Sequence, residues 1–131
     1  MMMLFIQLLA VAALVLGKTS ITANLKGTEL SASWITDFTS QSAIFTVRSS
    51  TRLSKSRWII LGFSDHGYWN VSDYCLFDTG TGLLWDGFVD ATFGMSEDRQ
   101  QDCRLLEKAG EKEFRFERKF ITCDPKDYAF E

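Results

Sequence analysis

A single imidazole, His66, is present among the 131 residues, and this limits the metal chemistry open to the chain. Zinc, copper and bis-His haem sites each draw on several such ligands, so none of them forms within one copy. His66 with a methionine such as Met95 is the axial pair that remains for haem. One His and one Met in a small domain are far more often incidental. Ser64-Asp65-His66 has the residue types of a proton relay, but sequence neighbours on a strand or turn point apart and cannot align. Hard cations take oxygen ligands, and Asp73 and Asp102, completed by the main-chain oxygens of Tyr74 and Ala91, make a reasonable Ca²⁺ set. Strand-end acids are nevertheless more often simply solvated. Gly80-Thr81-Gly82 is followed by neither a helix nor Gly-Lys-Ser/Thr, so it reads as a hairpin turn and not as a phosphate loop. Cys75, Cys103 and Cys123 lack Cys-x-x-Cys spacing, which makes zinc improbable. In a secreted chain this odd number means one pair plus a free thiol, or an intermolecular bond. Asn70-Val71-Ser72 is a glycosylation sequon, meaningful only in a secreted protein.

These residues have to be positioned by strands. Leu30, Ala32 and Trp34 alternate with Glu29, Ser31 and Ser33, the period of a half-buried strand. Ser42 to Arg48 is β-branched and aromatic, and Trp58 to Phe63 is a continuous apolar run that fits a strand covered on both faces. Asp73 to Phe77 and Leu83 to Phe93 flank the Gly-rich turn as a hairpin. Asp102 to Glu107 and Glu113 to Phe120 form the last pair, in which Phe114, Phe116 and Phe120 share a face that only Arg118 breaks. No stretch in the body of the chain has a helical period, so the expected fold is an all-β sandwich or barrel. A lipocalin-like barrel is disfavoured, because Trp34 follows Ala32-Ser33 instead of Gly-x.

The N-terminus reads differently. Leu4 to Leu16 is apolar apart from Gln7, and its 13 residues would span about 20 Å as a helix. A bilayer core needs ~30 Å, so a stable membrane span is not expected. Val15 and Gly17 stand at the −3 and −1 positions of a cut before Lys18. The expectation is a signal peptide over 1–17, one domain over 18–131, and a secretory-pathway location. A hydrophobic fraction of 46% with 14% aromatics excludes a disordered chain. A net charge of −3 argues against nucleic acid as a partner.

Gly62-Phe63-Ser64-Asp65-His66-Gly67, Ser72-Asp73-Tyr74, Asp98-Arg99-Gln100-Gln101-Asp102 and Phe120-Ile121-Thr122-Cys123-Asp124-Pro125-Lys126-Asp127-Tyr128 occur in that order. Together they resemble the DOMON domain, and more narrowly the N-terminal DOMON domain of the copper type II, ascorbate-dependent monooxygenases of the dopamine/tyramine β-hydroxylase group. The resemblance implies an immunoglobulin-like antiparallel β-sandwich in the secretory pathway, of a kind that binds haem, sugar or metal. It lends weight to the Asp73, Tyr74, Ala91 and Asp102 set. It also implies that catalysis belongs to downstream copper domains rich in His, so that this chain corresponds to a non-catalytic binding or interaction module. The alternatives are an N-terminal piece of such a monooxygenase and a haem-binding cytochrome-type domain. In the family the Cys of the Thr-Cys-Asp-Pro motif bonds to a downstream Cys, which implies that Cys123 has lost its partner. Cys103 departs from the usual aromatic after Gln-Gln-Asp, and Cys75 is its candidate partner in a private bridge. The family also continues with a closing strand beyond this match. Its lack implies an open sheet edge through which, with Cys123, another chain or a catalytic domain would attach.

Overall fold

The computed structural model of the chain describes residues 2–5, 20–24, 29–53, 57–65, 67–107 and 109–122. The expected cut before Lys18, His66 and Cys123 lie outside the described residues. The described elements are strands: β1 (Met2–Phe5), β2 (Ser20–Asn24), β3 (Leu30–Asp37), β4 (Ser42–Ser49), β5 (Trp58–Phe63), β6 (Ser72–Asp78), β7 (Leu83–Val89), β8 (Met95–Glu97), β9 (Cys103–Leu105) and β10 (Glu113–Lys119).

They form two sheets of five strands, ordered β1-β5-β6-β7-β8 and β2-β3-β4-β10-β9. The expected all-β sandwich is therefore the observed fold. Within each sheet the neighbours run antiparallel, except that β1 lies parallel to β5, with Met2 opposite Ile59 and Phe5 opposite Gly62. The outer edge of β5 thus carries a strand from the segment that the sequence marks as a leader.

Alternation sets which residues meet between the layers. Leu30, Ala32 and Trp34 of β3, Phe45 and Val47 of β4, and Phe114 and Phe116 of β10 face Ile59, Leu61, Phe63 and Phe77 of the other sheet in one buried cluster. Aromatic rings join the layers: Phe77 stacks on Phe114 at 4.1 Å between centroids, and Phe45 meets Phe63 at 5.4 Å. Both faces of β5 are covered, since outward-facing Ile60 is as inaccessible as its inward neighbours. This is why its sequence shows no alternation.

The β6–β7 hairpin forms as expected, with Asp78 opposite Leu83. β7, however, stops at Val89 and does not run on to Phe93. Asp90 ends it, accepting hydrogen bonds at Oδ1 from the amides of Thr92 (2.8 Å) and Gly94 (2.9 Å), an Asx-type turn that reverses the chain into β8.

Candidate functional site

Asp73 is the second residue of β6, two before Cys75, and points between the sheets, in register with Phe63 and Phe88. Arg118, the residue that interrupts the apolar face of β10, enters the same space from the opposite layer and is fully buried. Its guanidinium forms an ion pair with the Asp73 carboxylate, and its Cζ lies 4.8 Å from the centroid of the Phe63 ring. The pattern break in β10 is a buried cation matched to a buried anion. Charges taken out of water need such partners.

The Asp98 to Asp102 segment is the corner by which the chain passes from β8 in one sheet to β9 in the other; Gln101 ties that corner to β7, and Gln100 ties it to the segment after β10. Gln101 accepts from the Asp86 amide at 2.9 Å through Oε1, and donates through Nε2 to the carbonyls of Asp98 (2.7 Å) and Asp86 (3.2 Å). Gln100 Nε2 donates to the Asp102 carboxylate at 3.0 Å and to the Thr122 carbonyl at 2.7 Å. Asp86 Oδ2 accepts from the Asp102 amide at 3.1 Å. Asp86 was not singled out from the sequence. Its signal was an acid at an inward register position, between Leu84 and Phe88 on β7.

Tyr74 stands on the outward side of β6, its ring crossing Gly87 so that Oη donates to the Ser96 carbonyl at 3.1 Å. A Cβ at Gly87 would lie 2.1 Å from the Ser96 carbonyl oxygen and 2.5 Å from the Tyr74 hydroxyl, so only glycine fits. Burial, then the negative charges of Asp98, Glu97, Asp86 and Asp73, push the Tyr74 phenol up to about 12. A phenolate absorbance titration is expected to show one tyrosine ionising near 12 and not near its ordinary 10. The unfolded chain releases that proton first, so stability falls as pH rises between 10 and about 12. Tyr74→Phe is expected to remove both effects; a titration unchanged by it would refute the assignment.

The four residues of the candidate cation set lie on β6, in the turn after β7 and just before β9. Asp73 and Asp102 are interior, whereas Ala91 sits in the exposed turn beyond β7. The Tyr74 backbone lies within the ladder, opposite Gly62 and Gly87. Among the described residues no three His, Cys, Asp or Glu side chains are placed to hold a metal ion. Met95 is on the exposed edge strand β8, and its haem partner His66 lies outside the described residues. Cys75 of β6 and Cys103 of β9 form a disulfide across the two layers, 28 residues apart in sequence. Asn70 is half-buried in the turn before β6, while the sequon hydroxyl of Ser72 donates to the Trp69 carbonyl.

A groove of about 600 Å³ opens at the end of the sandwich where the β6–β7 turn meets the loop between β9 and β10. Leu53, Phe77, Leu105 and Ala109 line it on the apolar side. Its rim is the Thr79-Gly80-Thr81-Gly82 turn and the Arg52–Glu111 ion pair, closed at 3.2 Å. The groove offers apolar contact from these side chains and hydroxyl, amide and charged groups from the turn and the ion pair. Among the described residues that line the groove there is no His, Cys or Met.

The chain belongs to the DOMON domain family, whose model it matches over residues 26–131. Among individual proteins it is similar to a tyramine beta-hydroxylase of Caenorhabditis briggsae, at 30% identity over 111 residues. That similarity takes in 85% of this chain but 18% of the hydroxylase, so the chain spans under a fifth of the length of the curated relative it matches.

Proposed function

We propose that this chain is a secreted, non-catalytic DOMON module that binds a small hydroxylated ligand, of the chemical class of sugars, in the groove between Leu105 and the β6–β7 turn. The groove is the observation that carries this reading. Its apolar floor suits the C–H face of a pyranose, and the turn amides and the Arg52–Glu111 pair suit its hydroxyls. The acidic residues favour a cation less, because the Arg118 guanidinium already neutralises Asp73. Passage through the secretory pathway is supported by the Cys75–Cys103 disulfide, which persists in oxidising compartments.

Titration calorimetry of the secreted protein with Ca²⁺, haemin and a panel of mono- and disaccharides tests the proposal. The expected result is saturable heat from a sugar, lost in Ala109→Trp, which fills the groove while leaving the circular dichroism unchanged. Binding of Ca²⁺ or haemin with a silent sugar panel would overturn it. The intact mass of the same sample reports removal of residues 1–17 and any glycan at Asn70.

The similarity to a tyramine beta-hydroxylase favours a second reading, in which the chain is the accessory domain of a longer copper monooxygenase. Substrate hydroxylation would then belong to other domains, and Cys123 and a sheet edge would supply the attachment. Sequencing of the full-length transcript decides it: a stop codon directly after Glu131 rules this reading out.

A further inference from the structure

Strand register brings four connections to one end of the sandwich. The β3–β4 turn lies between Asp37 and Ser42, and β10 stops with Lys119 opposite Ser42, so Phe120 and Ile121 follow beside that turn. In the other sheet Asp73 stands opposite Phe63, and Val89 lies opposite both Ser72 and Met95. The β5–β6 loop and the β7–β8 turn are therefore neighbours. The Asp73–Arg118 ion pair joins the two layers just beneath all four connections. The groove lies at the opposite end, against the β6–β7 turn.

This end is apolar at its tips. Of the eight large hydrophobic side chains exposed among the described residues, six are here: Phe38, Tyr68, Val71, Phe93, Met95 and Ile121, each 40–70% exposed. Gln41, Val71 and Phe93 also hold φ angles of 52°, 53° and 66°, and no other non-glycine among the described residues is in that left-handed region. A valine or phenylalanine reaches it only against its own Cβ. Burial does not offset the cost, because both side chains stand in solvent. Strain held at an exposed apolar residue serves something other than the fold.

Spacing and charge identify the partner. The tips sit on separate connections with polar residues between them, unlike the continuous apolar centre of a protein interface. A bilayer surface admits such prongs one at a time, and aromatic rings favour its headgroup level. Asp37, Asp65 and Asp90 stand among these connections with Lys119, a balance that disfavours anionic lipid but not zwitterionic lipid. Asp37 accepts from the Thr39 amide at 2.9 Å, as Asp90 does from its own turn, so the segments carrying Phe38 and Phe93 are shaped before any contact.

We propose that this end of the sandwich is a docking surface for a zwitterionic lipid bilayer, with Phe38, Tyr68, Phe93 and Ile121 entering the headgroup region. Docking by this end turns the groove toward solvent.

The test uses the full chain as secreted and co-sedimentation with vesicles of pure phosphatidylcholine. The expected result is saturable binding, weakened about tenfold by Phe93→Gly and again by Phe38→Ser, since each removes one inserted ring. Glycine adopts the left-handed conformation freely, so Phe93→Gly is expected to leave the thermal midpoint unchanged or raised, which separates lost binding from lost folding. Leu83→Ser, at the opposite end, is expected to bind as the wild type does. Phosphatidylserine in the vesicles is expected not to strengthen binding. No binding to phosphatidylcholine overturns the proposal. So does binding that phosphatidylserine strengthens, that survives loss of both rings, or that Leu83→Ser weakens equally. Asn70 lies in the same loop as Tyr68, so binding seen only after enzymatic removal of a glycan also overturns it, because carbohydrate would then cover this end. Self-association dispersed by Phe93→Gly does the same, since a second copy would then own the surface.

Discussion

Arg118→Met is expected to lower the unfolding free energy by about 3–5 kcal/mol, enough to leave a domain of this size barely folded. The cost arises from the residue left behind. Asp73 is 1% exposed and ion-paired to Arg118, so truncating the guanidinium strands a carboxylate between two sheets. Removing both charges together, in Asp73→Leu with Arg118→Met, is expected to recover most of the loss, because a buried ion pair roughly balances its own desolvation. Urea unfolding of the two single variants and the double variant measures this. If the single variants lose under about 1 kcal/mol, the pair is not the interior anchor described above.

Cys103→Ser is expected to cost about 3–4 kcal/mol, the loop-closure entropy released to an unfolded chain by a loop of this length. The bond ties β6 of one sheet to β9 of the other, at residues 28 apart. The same loss is expected from Cys75→Ser, and the double variant should lose no more than either alone. Non-reducing and reducing thermal melts of the wild type supply an independent check: an unchanged midpoint on reduction would show that the bridge is not formed in the purified protein.

Much of this arrangement was readable from local alternation. Leu30, Ala32 and Trp34 point inward as their period requires, as do Phe114 and Phe116. The break at Arg118 announced something unusual, but its partner was invisible, since Asp73 lies 45 residues away and only strand pairing brings the two together. Asp86 escaped notice for a different reason. Leu83 to Val89 is apolar on both faces, so its acid looked like an interruption in a continuous run instead of an inward position in an alternating one. The run Leu83 to Phe93 reads in sequence as one unbroken strand. The hydrogen bonds that Asp90 makes to its own turn end the strand at Val89 and leave Ala91 in solvent. The Gln-Gln-Asp motif was recognisable as a family mark, yet its work, pinning a corner to the backbone of β7, depends on geometry that adjacent residues do not encode.

The uneven distribution of charge between the layers has a kinetic consequence. Residues 58–98 carry seven acids and no Lys or Arg, so the β5-β6-β7-β8 layer is the more negative of the two. Near a positively charged body a molecule of this kind turns that layer forward before contact, within a screening length of about 8–10 Å at ordinary ionic strength. Added salt would slow such an encounter.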